Sequence, residues 1–189
     1  MYEVEVKVRA PHSPLRSRLA KLGADPIGAV TQADTYYDAP HRSFAETDEA
    51  VRIRRETPVR EDGSGNDATV LTYKGPLVES ASKTRVEREV DVEDGEAMAA
   101  ILQALGFEPV ATVEKDRERF SLEGMTVTLD SVAGLGEFVE AETEATEGER
   151  VAAREEVVSL LSRLDLDADD QLRTSYLELL LAEEHSSQL

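Results

Sequence analysis

From Tyr2 to Arg9 the chain alternates without a break. Tyr2, Val4, Val6 and Val8 fall on one side of an extended backbone, and Glu3, Glu5, Lys7 and Arg9 fall on the other. Period two over this length predicts a strand. The same pattern returns in Ala50 to Arg55, where Val51 and Ile53 oppose Arg52 and Arg54, and in Thr69 to Lys74. It returns again in Arg85 to Val92, with Arg85, Glu87, Glu89 and Asp91 opposite Val86, Val90 and Val92. Val113 to Phe120 sets Lys115, Arg117 and Arg119 on one side. Met125 to Asp130 opposes Met125, Val127 and Leu129 to Thr126, Thr128 and Asp130, and Phe138 to Glu142 aligns Glu140 with Glu142. Thr31 to Asp38 adds a short extended piece.

Helices are fewer. Ser13-Pro14-Leu15 reads as an N-cap followed by Pro at the first helical position; Leu15, Leu19 and Leu22 follow at helical spacing and Gly23 ends the run. Asp94 predicts the cap of a helix through Met98, Ile101, Leu102 and Leu105, closed by Gly106. Two more amphipathic helices are expected over about Glu149 to Leu164 and Gln171 to Glu184, with Arg173 on the last. Thr57 to Asp67, rich in Gly, Pro and acids, predicts a turn or hairpin tip. The fold class is therefore α+β: some eight strands, enough to close a barrel, with flanking helices. One domain is expected over residues 1–184, with a frayed tail at 185–189.

Composition narrows the chemistry. Without cysteine, this 189-residue chain has no disulfide framework, thiolate metal site or Cys nucleophile. No apolar run approaches the roughly 18 residues of a membrane span, and the opening MYEVEVKV does not read as a signal peptide, so a cytoplasmic protein is expected. Its 40 acidic side chains outnumber 21 basic ones for a net charge of -19, which repels polyanions and predicts neither nucleic-acid nor membrane binding. The basic residues are five Lys and sixteen Arg, and the acid excess runs the whole length of the chain. That spread reads as a solvated surface suited to high salt, where the Debye length is short, with an ordinary acidic protein as the alternative.

The charged strand faces leave two arrangements open. Half-charged strands usually form a sheet with one face in water. Here the charged rows repeat a few groups, Glu-x-Glu-x-Lys, Arg-x-Arg, Lys-x-Arg and Glu-x-Glu, which suits an inverted barrel: apolar rows outward beneath helices, ions inward around a lumen. Such a lumen needs water, internal pairing or a ligand that balances its charges. A polyphosphate suits the cations, and Mg²⁺ or Mn²⁺ suits clustered carboxylates. His12, His41 and His185 fall in apparent loops or the tail, which disfavours zinc and His-based catalysis.

Read in order, these blocks resemble the CYTH superfamily, the triphosphate tunnel metalloenzymes. The resemblance rests on Glu3-Val4-Glu5-Val6-Lys7, Arg52-Ile53-Arg54, Thr72 to Pro76, Arg85 to Glu89, Lys115-Asp116-Arg117, Leu129-Asp130 and Phe138 to Glu142. Gln32 to Asp38 and Arg173 to Leu177 are most similar to the class IV adenylyl cyclase branch, and the acidity resembles haloarchaeal members. The resemblance implies a closed tunnel of eight antiparallel strands around a triphosphate. Lys7, Arg52, Arg54, Lys74, Arg85, Lys115 and Arg117 carry over as phosphate ligands, with Lys7, Arg54 and Lys115 at the reacting phosphates. Arg173 carries over as a basic residue covering the mouth. Glu3, Glu5, Asp130, Glu140 and Glu142 carry over as acids binding Mg²⁺ or Mn²⁺. The implied partner is a small-molecule triphosphate such as ATP, and a homodimer is left open.

Other residues are placed by phase. Glu87 and Glu89 are expected to orient lumen cations, and Arg9 and Arg119 to share the lumen row near its rim. Arg55, Arg88 and Glu118 face outward, Lys83 is a loop lysine, and Tyr36 and Tyr37 are packing residues. Three activities follow from such a site: conversion of ATP to cyclic AMP and pyrophosphate, which leads; hydrolysis of an inorganic or organic triphosphate such as thiamine triphosphate; and polyphosphate binding without turnover.

Overall fold

The computed structural model describes residues 2–59, 66–76 and 86–186, with the side chains of Glu3 and Glu184 excepted. In chain order the elements are β1 (Tyr2–Arg9), α1 (His12–Leu22), β2 (Asp25–Asp38), α2 (Phe44–Thr47), β3 (Ala50–Pro58), β4 (Ala68–Lys74) and β5 (Glu87–Asp91). There follow α3 (Gly95–Ala104), β6 (Glu108–Leu122), β7 (Met125–Val132), β8 (Gly136–Ala145), α4 (Arg150–Arg163), a 3₁₀ turn (Ala168–Asp170) and α5 (Tyr176–Ser186). The strands form one eight-stranded sheet in the order β1-β8-β7-β6-β2-β3-β4-β5, and every pair is antiparallel.

Local signals account for most boundaries. Asp94 caps α3 by accepting from the backbone N–H groups of Glu96 and Ala97 at 3.1 and 2.9 Å. Gly23 ends α1 at φ 79°, where a side chain would be strained. Three expectations need correction. Helix α1 starts at His12, so Ser13 sits inside the first turn and makes no cap. Strand β2 spans fourteen residues, because Asp25 to Val30, with Pro26 and Gly28, lacks alternation but is held by pairing to β6. The last helix starts at Tyr176, not Gln171, so Arg173 lies in an exposed loop before it. A capping box sets that start: Ser175 Oγ accepts from Glu178 N at 3.2 Å and Glu178 Oε2 accepts from Ser175 N at 2.7 Å.

The apolar rows of β1, β7 and β8 lie under helices. Val6, Val8, Val127, Leu129, Val139 and Ala141 pack with Leu15 and Leu19 of α1 and with Val157, Leu160 and Leu161 of α4. Val51 and Ile53 of β3 pack with Phe44 of α2 and Leu102 of α3. Among the described residues the apolar row of the β5 region has no such cover, and Val90 is 55% exposed. Helix α5 packs on the opposite face, where Tyr176 meets Val113, Val132 and Phe138, residues in phase with the charged rows. No helix of the described residues is long and apolar enough to cross a membrane.

Candidate functional site

Directly paired residues of an antiparallel ladder share a face. Register therefore places Glu5 beside Glu142 and Lys7 beside Glu140 on the same face as Thr126, Thr128 and Asp130. It continues through Arg117 and Lys115 on β6, Gln32, Asp34 and Tyr36 on β2, Arg54 and Arg52 on β3, Thr72 and Lys74 on β4, and Glu89 and Glu87 on β5. Adjacent strands lie about 4.8 Å apart, so β1 and β6, three steps apart, are about 14 Å distant on a flat sheet. Yet Lys7 Nζ and Lys115 Nζ sit 4.2 and 5.2 Å from the centroid of the one Tyr176 ring. The lysine heads of two strands that are not neighbours thus meet at one ring.

The middle of that row is buried, while Glu89 at its β5 end is 52% exposed. Lys7 is 2% exposed, Lys115 5%, Asp34 1% and Asp130 0%. Buried charges persist only where they are paired and hydrogen-bonded, and here they form two groups. In the first, Asp34 accepts from Arg54 Nε at 2.6 Å and Arg54 Nη2 at 2.7 Å, with Arg52 Nη1 and Lys115 Nζ each at 3.5 Å. In the second, Arg117 donates to Asp130 at 2.7 and 2.5 Å and to Glu140 at 2.8 Å. Tyr176 Oη donates to Asp130 at 3.0 Å, and Lys7 stands 3.9 Å from Glu140.

Around these groups lie supporting pairs. Lys74 meets Glu87 at 3.0 Å, Arg52 stands 3.9 Å from both Glu87 and Glu89, and Thr72 donates to Glu89 at 2.8 Å. Gln32 donates to Glu56 at 2.5 Å, and Arg119 reaches Glu56 at 3.0 Å. Arg9 leaves the row for the Leu135 carbonyl at 2.5 Å. Among the described residues, two buried polar atoms have no partner: Arg52 Nε, a donor, and Gln32 Oε1, an acceptor.

The environment sets the protonation states. Burial pushes the Asp34 carboxyl up, but the Arg54 hydrogen bonds and the charges of Arg54, Lys115 and Arg52 hold it well below the usual carboxylate range. Burial, with Arg117 and Arg54 nearby, lowers Lys115 to about 8 against the pull of Asp34 and Asp130. Burial and then Glu140 and Asp130 push the Tyr176 phenol far up, so it remains a donor.

The structure brings Lys7, Arg52, Arg54, Lys74, Lys115, Arg117, Glu5, Asp130, Glu140 and Glu142 to one face. Arg85 and the side chain of Glu3 lie outside the described residues. The outward placement of Glu118 holds, since it pairs with Arg16 of α1 at 2.5 Å. Tyr37 packs with Phe44 and Tyr36 against the cluster around Val113 and Tyr176, as expected; Tyr36, in phase with the charged row, also interacts with Arg52. Sequence reasoning missed Asp34, Gln32, Glu56 and Tyr176 as parts of the site. For Asp34 a signal existed: Gln32, Asp34 and Tyr36 alternate in one phase.

Among the described residues no three acidic or histidine side chains already converge as a metal cluster. The donor set is nonetheless of the hard kind: Glu5 and Glu142 are direct cross-strand partners, with Glu140 two residues further along β8. Carboxylate oxygens without imidazole or thiolate fit Mg²⁺ or Mn²⁺. Asp130 is committed to Arg117 and Tyr176.

The CYTH domain model matches residues 1–176. The chain belongs to the CYTH family. This CYTH protein is 40% identical over 181 residues to MJ0240 of Methanocaldococcus jannaschii, named a candidate adenylate cyclase, covering 95% of this chain and 98% of that one. It is 27% identical over 179 residues to the adenylate cyclase CyaB of Aeromonas hydrophila, covering 93% and 86%. Among solved structures, PH1819 of Pyrococcus horikoshii superposes with a TM-score of 0.86 at 38% identity over 96% of this chain and 99% of that one. A Hippeastrum protein, described as a candidate adenylyl cyclase with dominant triphosphatase activity, shares the fold at a TM-score of 0.69 and 19% identity, covering 97% and 96%.

Proposed function

We propose that the sheet closes as a tunnel and that its charged row holds the triphosphate of ATP for conversion to cyclic AMP and pyrophosphate. One observation carries this reading. Three cations, Lys7, Arg52 and Lys115, are buried on one face with Arg54 and Arg117 partly buried beside them, and among the described residues the Nε donor of Arg52 has no partner. Buried donors left unsatisfied are costly, and phosphate oxygens are the acceptors that arginine forks fit best. The names of the two cyclase relatives point the same way.

In this reading Arg52, Arg54 and Lys115 hold the β- and γ-phosphates, with Lys74 and Arg85 beside them, while Lys7 and Arg117 face the α-phosphate. Attack of the ribose 3′-hydroxyl on the α-phosphorus releases pyrophosphate, and these cations stabilise its departing charge; fixed electrostatics and positioning supply the acceleration. Mg²⁺ or Mn²⁺, held by Glu5, Glu140 and Glu142 with Glu3, would neutralise phosphate charge and favour ionisation of the attacking hydroxyl, while Asp130 would stay with Arg117 and Tyr176. Arg173, in the loop before α5, would approach the bound phosphates from the mouth.

Water attacking the γ-phosphorus would use the same cations, and the triphosphatase activity of the Hippeastrum neighbour keeps that second reading in view. Product analysis separates them. Purified protein in strong salt with Mg²⁺ or Mn²⁺ is given ATP, tripolyphosphate or thiamine triphosphate. Cyclic AMP with pyrophosphate is the expected result. Orthophosphate without cyclic AMP would replace the cyclase with a triphosphatase, and tight binding without turnover would leave a binding module.

Two further outcomes follow. Affinity for tripolyphosphate should fall as pH rises through about 8, because Lys115 then loses its proton and the site loses one positive charge. The bound anion favours charged Lys115, so binding above pH 8 should take up protons. Calorimetry from pH 6.5 to 9.5 in buffers of different ionisation enthalpy, ~3 pH units across the transition, reads both signs. Glu142→Gln should raise the Mg²⁺ concentration giving half-maximal activity by about tenfold, the loss of one charge-assisted ligand, while metal-free tripolyphosphate binding is retained.

A further inference from the structure

Asp34 is a buried acid in a row read as an anion site, and the mechanism above gives it no role. It belongs to β2, which lies between β3 and β6 in the sheet. From there one carboxylate reaches cations on both neighbours: Arg54 and Arg52 of β3, and Lys115 of β6. On β2 itself its in-phase neighbours are Gln32 and Tyr36, neither of which carries charge beside it. Asp34 lies within 3.5 Å of all three cations, whereas Glu87 and Glu89 reach one of the three, Arg52, at 3.9 Å. Both oxygens of Asp34 accept from Arg54, which fixes the plane of that guanidinium. Asp34 remains ionised, since the Arg54 hydrogen bonds and surrounding cations outweigh the effect of burial.

We propose that Asp34 is a positioning residue, a resident counter-anion that converges Arg52, Arg54 and Lys115 in the free protein and shares them with a phosphate when the site fills. The inference rests on the reading of this row as a triphosphate site. Without Asp34 the three cations would repel one another and splay. A bound polyphosphate would then have to supply the charge that gathers them.

The test compares thermal unfolding of the full chain and its Asp34→Asn variant, each with and without saturating metal-free tripolyphosphate. The variant should melt several degrees lower when free, and tripolyphosphate should raise its midpoint by at least twice the shift seen in the unsubstituted protein. Equal losses with and without tripolyphosphate would mean that Asp34 merely supports the fold, and the proposal would be wrong. Asp34→Glu provides a second reading, because it keeps the charge but moves it outward by one methylene. It should fold near the original midpoint yet bind tripolyphosphate at least tenfold more weakly; an unchanged affinity overturns the proposal. If tripolyphosphate fails to stabilise the unsubstituted protein at all, the triphosphate reading itself falls, and the role of Asp34 with it.

Discussion

Replacing Arg117 with Met is expected to cost about 3–5 kcal/mol of folding stability. The guanidinium bridges two acids on different strands, Asp130 of β7 and Glu140 of β8, and the Asp130 side chain is 0% exposed. Methionine matches much of the volume but leaves both carboxylates without their main partner. Tyr176 still donates to Asp130 and Lys7 still stands near Glu140, but a phenol at 3.0 Å and an ammonium at 3.9 Å do not replace a three-bond bridge. Urea unfolding monitored by circular dichroism measures the loss. Adding Asp130→Asn should restore part of it, because the uncompensated buried charge is the expensive element. A variant within 1 kcal/mol of the parent, about the value of an exposed ion pair, would show that the row is hydrated and the bridge superficial.

The second large effect concerns binding. Arg52→Ala should weaken tripolyphosphate binding by about 10- to 100-fold, corresponding to the roughly 1.5–3 kcal/mol of hydrogen bonds to a charged group. Arg52 contributes a buried charge and the unpartnered Nε, so the substitution removes both. Arg52→Lys keeps the charge and deletes the fork, and should recover only part of the affinity. Arg88→Ala serves as the control: Arg88 is exposed on the opposite face of β5 and should leave the affinity unchanged. Parallel losses in the Arg52 and Arg88 variants would point to general charge rather than a built site.

Much of this site can be read in the sequence because strand alternation is a local property. Lys7, Arg52, Arg54, Lys74, Glu140 and Glu142 each belong to a charged phase opposite a hydrophobic one, Lys115 and Arg117 form a basic phase opposite the acids Glu114, Asp116 and Glu118, and the pairing register places all eight on one face. Asp34 escaped because β2 has weak alternation in its first half and borrows its regularity from pairing with β6. Tyr176 escaped for a different reason. On a helix after a loop, an aromatic residue reads as core, and nothing local shows that its ring will lie against two lysines. Arg173 was assigned to a helix because the capping box at Ser175 and Glu178 competes with an apolar spacing that begins earlier.

The sequence alone determined which residues travel together: an extended backbone turns successive side chains to opposite faces, whatever surrounds it. Tertiary structure decided which face lies within, and which acid each cation meets. The strand order depends on pairings between residues as distant as Lys7 and Glu140. Helices α1 and α4 cover the apolar rows, while on the other face the ions are buried against one another and beneath Tyr176 of α5. Burial of that kind is a property of the assembled layers, and no single segment carries it.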